Sequence, residues 1–203
     1  CALPICLTIN KSITGAGPIV FDNYSNGSSG PGTVNVNAAV SAGANNITFG
    51  SGGSTLNVGT GGSISFAAGQ TIQTINNTGG TATFGGNVTA TTLGASGGTT
   101  TFNGTTNSIT NLNASNSAQV TFGATSTTNT VTVLAVSNNA VVTANQTLEI
   151  SGNGSTLSNS GQLTGSGNIN LNVTRGPAMT WSGGKIDGSG QLNLLGGAQI
   201  GRA

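Results

Sequence analysis

The sequence predicts an all-β chain folded as a single-stranded parallel β-helix (a β-solenoid), with right-handed coils of about 17–22 residues and essentially no α-helix. Three observations carry this: a phenylalanine that recurs at near-constant spacing, a second apolar ladder in phase with it, and a composition almost without charge.

Phe49, Phe66, Phe84, Phe102 and Phe122 follow one another at nearly even intervals. Their surroundings recur with them: Ile47-Thr48-Phe49-Gly50, Ile64-Ser65-Phe66-Ala67, Ala82-Thr83-Phe84-Gly85, Thr100-Thr101-Phe102-Asn103 and Val120-Thr121-Phe122-Gly123. Val142-Thr143-Ala144-Asn145 is a degenerate further copy. Half a coil ahead of this ladder runs a second, formed by Val40, Leu56, Ile75, Leu93, Leu112 and Leu134. Around each point apolar residues alternate with Thr or Ser, which is the period of a strand. Gly-Gly, Asn-Gly and Asn-Asn pairs supply corners between strands. A Gly-, Ser-, Thr- and Asn-rich chain also fits a disordered linker, but two ladders in phase do not arise from one. If each coil pairs with the next, equivalent side chains stack about 4.8 Å apart, Phe on Phe and Leu on Leu.

Charged residues make up 3% of the 203 residues, and there is no histidine. The charges are Lys11, Asp22, Glu149, Arg175, Lys185, Asp187 and Arg202, so residues 23–148 carry none. That suits a stack, because a charge repeated at one coil position faces its own copy at about 5 Å. No basic patch exists to neutralise several phosphates, which argues against nucleic-acid binding. No apolar run approaches the ~18 residues of a transmembrane span.

Along the chain, residues 7–39 read as N-terminal strands and a loop, and 40–147 as regular coils. Residues 148–198 read as a continuing solenoid with an altered coil type: Leu163-Thr164-Gly165-Ser166-Gly167-Asn168-Ile169 is matched, one coil later, by Ile186-Asp187-Gly188-Ser189-Gly190-Gln191-Leu192. The two ends read as translated sequencing adapter. ATC-GGA-AGA-GC encodes Ile-Gly-Arg-Ala, the sequence of residues 200–203, and its reverse complement opens Ala-Leu-Pro-Ile, the sequence of residues 2–5. Residues 1–6 and 199–203 are therefore expected to be adapter-derived, with 7–198 an internal piece of a longer gene.

Trp181-Ser182-Gly183-Gly184-Lys185-Ile186-Asp187-Gly188-Ser189-Gly190-Gln191-Leu192-Asn193-Leu194 and the Thr-Phe-Gly coils resemble large bacterial surface proteins. These are the autotransporter passenger regions and the filamentous-haemagglutinin-type adhesins. The resemblance implies a right-handed parallel β-helix, export to the outer-membrane surface, and extracellular display as a stalk or adhesin. The partners it implies are host-cell or matrix surfaces, carbohydrate, or further copies of the chain. It is a likeness of style, and no catalytic or receptor-binding residue is carried over by it.

Catalytic chemistry finds no foothold, so the chain is not expected to be an enzyme. A glycosidase needs two carboxyl groups within a few ångströms, and Asp22, Glu149 and Asp187 are far apart in sequence. Lys185 and Asp187 read as a solvated surface pair. Without His there is no usual base for a hydrolytic triad, and no ligand set for a metal or cofactor is apparent. Trp181 and Tyr24 are the candidate surface-binding aromatics, packing within the coil being the alternative for Trp181 because it alternates with Met179. The structural or adhesive fibre competes with two other solenoid classes. One is an ice-binding face, for which Thr81-Ala82-Thr83, Thr89-Ala90-Thr91 and Thr99-Thr100-Thr101 offer spaced hydroxyls. The other is a phage tail fibre, which would be trimeric.

Replacing Phe84 with Asp puts an unpaired carboxylate between Phe66 and Phe102. The expected result is loss of the cooperative melt followed by circular dichroism; an unchanged melt would show the stacking register to be wrong.

Overall fold

A computed structural model describes residues 6–17, 19–21, 32–41, 47–49, 55–123, 125, 127–173 and 176–202. All regular structure among them is strand, and every pairing is parallel. The chain is a β-solenoid in which successive coils place strands on three stacks.

The first stack begins with Cys6–Ile9 and Thr33–Val36 and ends with Gln199–Arg202. The second begins with Ile13–Thr14 and Ala39–Ser41 and ends with Lys185–Ile186. The third runs from residues 70–72 to Leu192–Leu195. Ahead of it Ile19–Phe21 pairs with Ile47–Phe49 as a separate two-stranded sheet, and Gln70 Nε2 donates to the Ile47 carbonyl at 2.9 Å. Two strands, Gln70–Phe84 and Val88–Phe102, are long enough to pass through the third, first and second stacks in turn without a break. The alternation of Ile, Val, Leu and Phe with Thr, Ser and Asn explains the burial pattern. One set of side chains fills the inside of the coil and the other meets water.

Inside, Phe66, Phe84, Phe102 and Phe122 form one column of fully buried rings. Successive centroids lie 4.9, 5.1 and 5.3 Å apart, with interplanar angles of 5°, 10° and 19°. Those spacings are the inter-strand distance of a parallel ladder, slightly stretched. Ala144 continues the column, in register with Phe122. Burying each ring contributes roughly 1.5–3 kcal/mol, and each stacked pair adds about 0.5–1.5 kcal/mol.

Two members of the sequence-derived ladders belong elsewhere. Phe49 is in register with Phe21, in the separate two-stranded sheet, and not with Phe66. Val40 is in register with Ile64 on the second stack, and Val34 takes its place below Leu56, Ile75, Leu93, Leu112 and Leu134 on the first. The reason is coil length. On the first stack Leu7 pairs with Val34 and Val34 with Leu56, both longer steps than those from Leu56 to Ile75, Ile75 to Leu93 and Leu93 to Leu112. The early coils are longer than the spacing between phenylalanines, so counting back from Phe66 lands on the wrong face. The register continues across position 147, where Asn129 meets Leu148, and Gln199–Arg202 pairs with Pro177–Trp181.

The interior is not purely apolar. Asn77, Asn107 and Asn129 point inward with at most 1% exposure. Each is satisfied at a corner, as buried polar groups must be. Asn77 Oδ1 accepts from the Gly79 and Gly80 amides, and its Nδ2 donates to the Gly80 and Thr99 carbonyls and to Thr100 Oγ1. Asn107 accepts from the Val88 amide and donates to the Gly104 carbonyl and to Asn129 Oδ1.

A second kind of corner repeats between the first and second stacks. Asn116 and Ser117, Asn138 and Asn139, and Asn159 and Ser160 all have φ between 47° and 64°. Each pair sits in a tight turn closed from Ala118, Ala140 or Gly161 N to the carbonyl of Ser115, Ser137 or Ser158. Two consecutive left-handed residues are the requirement of a type I′ turn, which Asn tolerates better than other side-chain-bearing residues.

Asn139→Gly should leave the urea midpoint unchanged or raise it, whereas Asn139→Val should cost about 1–2 kcal/mol, because a β-branched residue resists positive φ. Equal midpoints for the two variants would show that the corner is not left-handed.

Candidate functional site

The outward side of the second stack carries two rows of small polar residues. Ser63, Thr81, Thr99 and Gln119 form one row, and Ser65, Thr83, Thr101, Thr121, Thr143 and Thr164 the other. Thr81 with Thr83 and Thr99 with Thr101 therefore share a face in register. Thr89 stands on the third stack between Thr71 and Ser108, so the Thr-x-Thr sequences do not make one surface.

Charge gathers at the far end of the second stack. Lys185 forms an ion pair with Asp187, and Gln162 Nε2 donates to both carboxylate oxygens at 3.1 and 3.3 Å. Hydrogen bonds from Lys185 first, then Thr164 and Gln162, hold the Asp187 carboxyl below its ordinary pKa of 3.8. Glu149 lies on the third stack, where Asn170 and Asn172 donate to it at 3.1 and 2.6 Å. The two carboxylates thus sit on different stacks, each already held by amide donors. Among the described residues no group of three or more His, Cys, Asp or Glu is placed to hold a metal ion.

The first stack carries the most distinctive outward feature. Thr8, Asn35, Asn57, Asn76, Gly94 and Asn113 occupy one column in register. Asn76 Nδ2 donates to Asn57 Oδ1 at 2.9 Å, Asn57 Nδ2 donates to Asn35 Oδ1 at 2.7 Å, and Asn35 Nδ2 donates to Thr8 Oγ1 at 3.2 Å. The ladder stops at Gly94, which has no side chain. The missing side chain opens a shallow notch of about 320 Å³ between Asn76 and Asn113, edged by Thr78, Ser96 and Ser115. Sequence reasoning passed over this column. The signal was present as Val34-Asn35-Val36, Leu56-Asn57-Val58, Ile75-Asn76-Asn77, Leu93-Gly94-Ala95 and Leu112-Asn113-Ala114. In each, a polar or absent side chain follows an inward apolar one.

Of the two aromatics singled out from the sequence, Trp181 is in register with buried Leu157 and remains 37% exposed, while Met179 beside it is buried. Tyr24 lies outside the described residues. No described helix is long and apolar enough to cross a membrane. Comparison with protein-family models, with curated proteins and with solved structures finds no match to this chain.

The lowered Asp187 pKa fixes a direction of pH dependence. A carboxyl with a depressed folded-state pKa adds stability above its unfolded pKa and loses it as pH falls through the lower folded value. Stability measured by denaturant titration from pH 5 to pH 2 should therefore fall less steeply in Asp187→Asn than in the parent chain. Identical slopes would show that the carboxylate makes no such contacts in solution.

Proposed function

We propose that this chain is a structural and adhesive segment of a secreted bacterial surface protein, a rigid non-catalytic stalk that presents polar, nearly uncharged faces on the extracellular side of the outer membrane. The observation that carries the reading is the parallel pairing of the first stack, coil after coil, from Cys6–Ile9 to Gln199–Arg202, which continues through a register shift between Pro177 and Met179. A chain whose successive coils pair with one another is a rod, and its length is set by the number of coils. The outward amide column and hydroxyl rows give such a rod surfaces suited to neutral polar partners. The bacterial, surface-displayed setting rests on the likeness of the Trp181 segment and the Thr-Phe-Gly coils to autotransporter passengers and filamentous-haemagglutinin-type adhesins.

A second reading, an ice-binding face, is favoured by one observation, the in-register Ser63/Ser65, Thr81/Thr83 and Thr99/Thr101 pairs of the second stack. Thermal hysteresis at millimolar protein supports it, and none at that concentration removes it.

The purified chain should scatter X-rays as a rod of constant cross-section and bind saturably to at least one immobilised glycan or extracellular-matrix protein. Cleavage of any glycan on the same array would instead make it an enzyme. A compact particle would remove the stalk, and the absence of binding to every surface would remove the adhesive role.

A further inference from the structure

We propose that the notch at Gly94 is a binding site for one neutral sugar residue of a glycan. The sugar would be held between the Oδ1 of Asn76, where the asparagine ladder ends, and the side-chain amide of Asn113. The proposal rests on the adhesive reading above and gives it a place on the surface.

Gly94 is not there for the fold's own sake. Its φ is ordinary, and a Cβ built on it would approach only one atom, the Oδ1 of Asn76, at 3.0 Å. The corner glycines are different: a Cβ on Gly80 would sit 2.5 Å from the carbonyl oxygens of Gly59 and Gly62. Glycine inside a strand weakens it and commonly marks a place where something approaches closely. Here it stands in the middle of the continuous strand Val88–Phe102, and no described residue fills the gap it leaves.

The chemistry of the gap is directional. Each amide of the ladder donates toward the lower-numbered coil, from Asn76 to Asn57 to Asn35 to Thr8. Chained hydrogen bonds polarise one another, so the ladder ends at its upper side in an enhanced acceptor, Asn76 Oδ1, aimed at the space above Gly94. On the far side the Asn113 amide makes no hydrogen bond among the described residues and offers both donors and an acceptor. A ligand for this place must donate on one side and both donate and accept on the other, which adjacent hydroxyls of a pyranose do.

Charge and size narrow the class. Residues 23–148 hold no charged side chain, so a charged ligand would lose hydration without gaining a counter-ion. At about 320 Å³ the notch lies at the lower limit of ligand clefts and suits one ring. A peptide cannot add as a strand here, because these backbone groups already pair with the coils on both sides.

The test is a titration of the isotope-labelled chain with the methyl glycosides of glucose, galactose, mannose and N-acetylglucosamine, read by amide chemical shifts. At least one glycoside should give saturable shifts at the Asn76 and Asn113 side-chain amides and at the Gly94 amide. Gly94→Asn fills the notch with the amide that the ladder lacks. It should weaken that binding at least about tenfold while the melting temperature holds or rises. Asn113→Ala, which leaves the ladder intact, should weaken it as well. Saturable binding that is unchanged in Gly94→Asn, or shifts that cluster elsewhere, would overturn the site and leave the adhesive reading standing. No shifts with any glycoside would also overturn it, and the adhesive reading falls with it only if the immobilised glycans and matrix proteins fail to bind too.

Discussion

Everything in this molecule depends on the in-register pairing of each coil with the next. Parallel strands about 4.8 Å apart place every side chain on its own equivalent, so whatever is chosen at one position is chosen for a column. Aromatic rings gain from this, as the Phe66 to Phe122 stack shows. Amides gain as well, because each can donate to one neighbour and accept from the other. Charges lose, and they are scarce. Two of the carboxylates are met by neighbours of other kinds, Asp187 by Lys185 and Gln162, Glu149 by Asn170 and Asn172.

The same constraint accounts for the polar interior. A coil must turn sharply where it leaves one stack for another, and turning exposes backbone groups that no ladder can satisfy. Asn77, Asn107 and Asn129 take up inward positions otherwise occupied by Val, Ile or Leu and supply the missing partners. The cost of burying an amide is offset because nearly all of its hydrogen-bonding capacity is used. Outside, the left-handed Asn and Ser pairs do the turning through backbone conformation alone.

The architecture was largely legible in the sequence, because periodicity along the chain becomes stacking in space. The phenylalanine column from Phe66 to Phe122 and the aliphatic column from Leu56 to Leu134 could both be read off by spacing. Legibility failed where coil length changes. Val40 and Phe49 sit at the right distance from the wrong neighbours, since counting along the chain cannot say how much of it a corner consumes. It failed again for the asparagine column. In a chain so rich in Asn a single Val-Asn-Val attracts no notice, and only the register turns scattered residues into a ladder with a gap. Composition told which residue types were available, whereas pairing told which of them meet.

The unequal coils of the first stack, long between Leu7 and Val34 and short between Ile75 and Leu93, carry a further consequence. Despite the unequal lengths, the columns of the first stack stay in register from coil to coil. A whole coil added or lost leaves every remaining contact of the same kind, and a lengthened corner leaves the strands untouched, whereas one residue gained inside a strand turns the remainder of that strand inside out. Natural variation in such a gene should therefore be tolerant of insertions and deletions at corners and of duplicated coils, and intolerant of frame slips within strands. The molecule can change its length and its decoration without relearning how to fold.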